Sequence, residues 1–270
     1  MAKSEFVTMF NVLVGYKGDG GNITIPKEVK QIGDYVFKEC NIESVVIPEG
    51  VTKIGKSAFV GCRRLKKVTI PESVTEICWG AFADCVSLEE IVIPNKVKII
   101  RKGTFSGCKS LRAVVIPGSV ECIEQQSFWG CKSLADENGF VIIRNILYYY
   151  AGKKNIVNIP DGVTEISAGA FRYCRKIEKV IIPDSVKKIC LLAFIGCKNL
   201  KEMDIPKGVN VIGNMAFGYC ESLRRIFISD SVTEIAADAF FHSDNVRIFA
   251  EEGSYSQLYA SFYDLPFKKI

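Results

Sequence analysis

The chain has 270 residues, of which 48% are hydrophobic and 24% charged, with a mean hydropathy of +0.17. That balance excludes intrinsic disorder, no apolar run reaches the ~18 residues of a membrane-spanning helix, and a dispersed net charge of +5 argues against nucleic acid. A single histidine, His242, argues against histidine-based catalysis and His-rich metal sites.

In chain order, the opening Met1-Ala2-Lys3-Ser4-Glu5 has no apolar stretch after its lysine, so no signal peptide is expected. Residues 1–24 then carry two apolar segments around a short turn and read as an N-terminal hairpin cap, with Gly18-Asp19-Gly20-Gly21 as a hairpin turn. From Ile25 a repeat takes over. Ile-Pro occurs at 25, 47, 70, 93, 116, 159, 182 and 205, and Ile228-Ser229 continues the series. A phenylalanine follows each isoleucine by twelve residues, from Phe37 to Phe240; a cysteine follows that phenylalanine by three in every copy but the last, which has Ser243.

One full copy shows the logic. Leu65 to Ile70 alternates with the period of two that marks a strand, Pro71 presets a turn, and Val74 and Ile77 belong to a second short extended piece. Ala81, Phe82, Cys85 and Leu88 have the spacing of one short helical turn. No single coil can bury its apolar face, but stacked coils can, with neighbouring strands ~4.7–4.9 Å apart in a parallel sheet. The phenylalanines should form a buried spine.

The 23-residue unit L-x-x-V-x-I-P-x-x-V-x-x-I-x-x-x-A-F-x-x-C resembles the BspA-like class of bacterial leucine-rich repeats. Val36, Thr104 and Ser127 replace the usual alanine before phenylalanine, and the first coil is one residue short. The resemblance implies a right-handed α/β solenoid, or horseshoe, with one parallel sheet and short helical turns. It also implies a cell-surface or secreted adhesion protein that contacts host matrix.

The 43-residue step between Ile116 and Ile159 holds about twenty extra residues. Phe140, Asn145, Leu147, Tyr150 and Gly152 repeat Phe6, Asn11, Leu13, Tyr16 and Gly18 at a distance of 134. The chain therefore reads as a duplicated block within a single solenoid, residues 1–270. The first repeat block spans 25–134, a hairpin insert 135–158, the second block 159–246 and a C-terminal cap 247–270. In that cap Ser254 suits the N-cap of a helix whose apolar face, Tyr255, Leu258, Tyr259 and Phe262, should cover the last coil.

Eight of the eleven cysteines occupy one repeat position and read as a buried ladder of free thiols; Cys78, Cys122 and Cys190 lie off it without evident role. No C-x-x-C pair suggests zinc, no hydrolase, P-loop or dinucleotide motif is present, and no cofactor or metal is expected. Carboxylates such as Glu90, Glu202 and Asp204 read as a solvated strand face, and the Asn22-Ile23-Thr24 sequon is discounted in a chain that looks bacterial.

The residue before each Ile-Pro isoleucine should point outward from the concave sheet. Five of these nine are apolar: Val46, Val92, Val115, Ile181 and Phe227. They form the first candidate interface, with Val92, Val115 and Ile181 expected in one patch that Phe227 extends; shielding within a strand ladder explains them equally well. Tyr148, Tyr149 and Tyr150 form the second, against simple strand pairing. The function expected is a non-enzymatic interaction protein that binds a protein or glycan. The alternative is an intracellular scaffold, favoured by the abundant thiols and the absent signal peptide.

Overall fold

The computed structural model describes residues 5–270; Met1–Ser4, on which most of the signal-peptide reading rests, lie outside them. The chain divides into two compact units, residues 1–135 and 136–270. Each is a β-solenoid of stacked parallel strands.

The first unit begins with an antiparallel pair, Phe6–Met9 against Val12–Tyr16, whose turn uses Phe10 and Asn11 at φ of 48° and 62°. The second of these strands is also the first rung of a parallel ladder through Gln31–Ile32, Lys53–Ile54 and Glu76–Ile77. The main strands form the other ladder: Gly21–Thr24, Ile42–Val46 and Lys67–Thr69 pair in parallel, with a register shift between Gly21 and Asn22, as do Glu90–Val92 and Ala113–Val115 without one. The period-two reading is met side chain by side chain, for Val45 and Ile47 are buried while Val46 faces out. The glycine run at 18–21 is a corner between the two ladders, not a hairpin turn. An ideal Cβ on Gly20 would lie 2.4 Å from the Asn41 carbonyl oxygen, and its φ is +103°.

The Ala-Phe-x-x-Cys segment is not helical, contrary to its spacing. Cys40 N–H donates to Phe37 O and Lys38 N–H to Tyr35 O, each three residues back, so consecutive tight turns replace the helix. The intervening amides of Tyr35, Phe37 and Glu39 donate instead to Lys56, Ala58 and Val60 of the next coil. This alternation requires left-handed residues two before and two after the phenylalanine. Tyr35 and Glu39, Gly80 and Asp84, and Leu192 and Gly196 fill those places with φ of 56–69°. Bonding between coils thus takes the amide groups a helix would have used.

Inside, the phenylalanines stack. Centroids from Phe37 through Phe59, Phe82 and Phe105 to Phe128 are 4.8–5.8 Å apart, with rings within 19° of parallel. Tyr16 leads the column, 5.2 Å from Phe37. Beyond the first coil of each unit the cysteine beside the phenylalanine is more than a small apolar filler: its thiol donates to the phenylalanine carbonyl of the preceding coil. Cys62 Sγ lies 2.9 Å from Phe37 O, and Cys85, Cys108 and Cys131 each lie 3.1 Å from the oxygens of Phe59, Phe82 and Phe105. The same oxygens accept the cysteine amide of their own coil, so two lone pairs are used. Ser243 keeps the pattern, with Oγ 2.6 Å from Phe217 O. All eleven cysteines are free.

The second unit repeats the plan. Phe140–Ile143 pairs antiparallel with Ile146–Tyr150 around Arg144-Asn145, both at positive φ. One ladder continues through Glu165–Ile166, Lys188–Ile189, Val211–Ile212 and Glu234–Ile235. The main ladder has six strands: Ile156–Asn158, Lys179–Ile181, Glu202–Ile205, Arg225–Ile228, Arg247–Ala250 and Phe267–Lys269. Helix α1 (Tyr255–Phe262) starts where expected, with Ser254 Oγ accepting from Gln257 N–H. Its buried face differs, comprising Ser256, Tyr259 and Ala260, while Leu258 and Phe262 are exposed. The Tyr259 hydroxyl donates to Ala236 O at 3.2 Å and its ring meets Phe240 edge-on, which fixes the rotation of the helix. The last strand, Phe267–Lys269, covers the open edge of Arg247–Ala250.

Candidate functional site

The outward stripe lies where the sequence puts it, but unequally in the two units. In the first, Val46, Val92 and Val115 are 43%, 56% and 56% exposed. Val46 stands between Thr24 and Thr69, and Val92 is directly opposite Val115. In the second unit Ile181 is exposed, but Asp204 occupies the same position on the next strand, so the apolar row breaks before Phe227. Phe227 is half-buried, its ring 4.7 Å from that of Phe249. Beside it Glu202 takes Lys179 at 3.1 Å and Arg225 at 2.8 Å; its carboxyl sits below the usual range chiefly through the lysine hydrogen bond. Val92 and Val115 belong to the first unit and Ile181 to the second.

The tyrosine cluster needs correction. Tyr148 and Tyr150 are 1% and 2% exposed and offer no surface, and only Tyr149 is partly open. Tyr150 heads the aromatic column of its unit, 5.2 Å from both Phe140 and Phe171, as Tyr16 does in the first. Leu147 belongs to the core cluster of its unit, and Tyr148, the residue left unopposed where the pairing register shifts between Val141 and Ile142, is buried as well.

A second feature escaped the sequence reading: a groove of about 820 Å³ in the first unit, along the corner between the short-strand ladder and the turns. Its centre is Trp79, 49% exposed. The Lys56 ammonium on the preceding coil lies 3.9 Å from the indole centroid and 5.4 Å from that of Tyr35. Lys53 pairs with Glu76 at 3.0 Å and Arg101 with Glu124 at 3.4 Å. Lys53 holds the Glu76 carboxyl low, whereas burial raises the adjacent Cys78 thiol. A protonated thiol is a poor nucleophile, so this lining suits binding more than covalent chemistry. One signal was available in the sequence. The position three before each phenylalanine is Asp34, Lys56, Lys102 or Gln125 in the other coils of this unit, and Trp79 is the exception.

Among the described residues, no group of three or more His, Cys, Asp or Glu could hold a metal ion, and no helix is long and apolar enough to cross a membrane.

Stacked parallel strands, an internal column of one aromatic per coil and a 23-residue period define a leucine-rich repeat solenoid. More narrowly, the chain belongs to the BspA-type family: the profile described as "BspA type Leucine rich repeat region (6 copies)" matches residues 16–135 and 141–264. Among solved structures, the chain is similar to a leucine-rich repeat protein from Eubacterium ventriosum. That likeness has 20% identity and a TM-score of 0.63, and covers 89% of this chain and 72% of the other. The pneumococcal vaccine antigen PcpA is 20% identical, with a TM-score of 0.54 over 92% of this chain and 78% of that one. A leucine rich cell surface protein from Faecalibacterium prausnitzii is 27% identical, covering 94% of each chain with a TM-score of 0.43. Among curated proteins no relative matches by sequence.

Proposed function

We propose that the chain is a non-enzymatic interaction protein that captures a protein partner on the outer face of the main sheet of its first unit, at a bacterial cell surface. The observation that carries this reading is the exposure of Val46, Val92 and Val115 at strand positions whose side chains add nothing to the core. Desolvating such β-branched groups favours association, and they lose little rotamer freedom on contact. Membership of the repeat family supports an interaction role, and the fold shared with a pneumococcal vaccine antigen fits a surface setting.

The test is retention on immobilised fibronectin, collagen and laminin, with wild type and Val115→Lys compared at matched thermal midpoints. Substituting an exposed position should shift stability by under ~0.5 kcal/mol. A lysine placed in a desolvated apolar contact should nevertheless abolish retention. Equal retention of both proteins would exclude the sheet face, and retention of neither on any of the three would exclude matrix adhesion.

A second reading, an intracellular scaffold using the same face, is favoured by eleven free cysteines, which suit a reducing compartment. Protease treatment of intact cells separates the two, because only a surface protein is cleaved.

A further inference from the structure

The Trp79 groove lies away from the sheet face and shows a different chemistry. It contains four cationic side chains, Lys53, Lys56, Arg101 and Lys102, and three carboxylates, Asp34, Glu76 and Glu124. Two of the cations are committed to Glu76 and Glu124. The other two, Lys56 and Lys102, make no ion pair among the described residues and stand on the coils before and after Trp79. Each carboxylate keeps accepting capacity: Asp34 takes only the Lys56 amide, and Glu124 the Lys102 amide besides Arg101. Lys56 sits over one face of the indole, which remains about half exposed.

An occupant of this groove must bring a flat apolar face for the indole, hydroxyl groups able both to donate to carboxylates and to accept from lysine and arginine, and a negative charge for the one surplus positive charge. An apolar peptide side chain would need a closed recess, but this groove is open, with Cys78, Trp79 and Ala83 as its apolar side chains. A phosphodiester backbone has no donors for the free lone pairs of the carboxylates. A pyranose has an apolar C–H face, attracted to the indole by the ring quadrupole that also holds Lys56, and a rim of hydroxyls. We propose that this groove binds an acidic polysaccharide, one carboxylated sugar lying on Trp79 with its carboxylate met by Lys102. The volume suits a short stretch of such a chain.

Calorimetric titration of the full chain with hexasaccharides of galacturonate, hyaluronate and sialate tests this, with methyl-esterified galacturonate and a single-stranded DNA oligomer as comparators. At least one acidic sugar should bind, and the neutral ester should bind more weakly than its parent acid. Trp79→Ala and Lys102→Ala should each weaken binding about tenfold or more. Trp79→Phe should restore most of it, and Lys96→Ala, on an exposed position outside the groove, should change nothing. Val115→Lys should bind normally, so the sheet-face reading fails or stands separately. Circular dichroism and melting confirm that each variant is folded. Absence of binding to all three acids, binding unchanged by Trp79→Ala, or tighter binding of DNA would overturn the proposal.

Discussion

Raising the pH from 8 to 10 should unfold this protein through its cysteines. In the first unit, burial pushes the Cys62 and Cys131 thiols up to about 12, and Cys85 and Cys108 well above the ordinary value of 9.0. Only the protonated form is accommodated, because the thiol is the donor to the phenylalanine oxygen of the neighbouring coil. Below pH 9 both states hold the proton and the stabilisation is complete. Between 9 and about 12 only the unfolded chain ionises, so stability falls as pH rises, by about 1.4 kcal/mol per thiol per pH unit. Four such thiols imply a loss of about 6 kcal/mol at pH 10, comparable to the whole stability of many domains. Urea titrations under reducing conditions at pH 8, 9 and 10 measure it. Cys108→Ser/Cys131→Ser is the informative variant, since Ser243 shows that a hydroxyl makes the same bond without titrating in this range. Its pH dependence should be shallower by about 3 kcal/mol at pH 10. Identical pH dependence in wild type and variant would refute the donor-ladder account.

Two further outcomes follow from packing. Phe105→Ala removes a fully buried ring from mid-column and should cost about 3–5 kcal/mol, read by denaturant unfolding; a cost under about 1 kcal/mol would mean that the column is not a packed core. Gly208→Ala should lower the melting temperature sharply, because an ideal Cβ would lie 1.8 Å from the Asp184 carbonyl oxygen; an unchanged melting temperature would show that the two coils are not held that close.

How much was legible depended on how local each interaction is. Inward and outward positions of a strand are a property of one coil, so Val45, Val46 and Ile47 were read correctly from alternation alone. The turns after each second strand were not, because their hydrogen bonds go to the next coil. Tyr35, Leu192 and Met215 also carry positive φ without being residues that announce it. The cysteine was read by its size and not its proton, since its acceptor lies 25 or 26 residues away. Tyr148 and Tyr150 looked like interface residues, yet both are buried, Tyr150 at the head of the aromatic column. Trp79 stood out at its repeat position, but its meaning rests on lysines 23 residues to either side.

The ion pair network around Glu202 bears on how such a chain changes length. Lys179, Glu202 and Arg225 occupy the same place in three successive coils. A genetic deletion of one exact period, removing residues 190–212, would leave the interior content: Phe171 would meet Phe217, and Cys174 would precede Cys220. On the surface it would set a lysine beside an arginine. Lys53–Glu76 and Lys98–Glu121 would each lose a partner in the same way, for they too join neighbouring coils. Each such pair is weak alone, yet together they oppose the loss of a single coil, to which the core is indifferent. Copy number in this chain is therefore recorded in its charges.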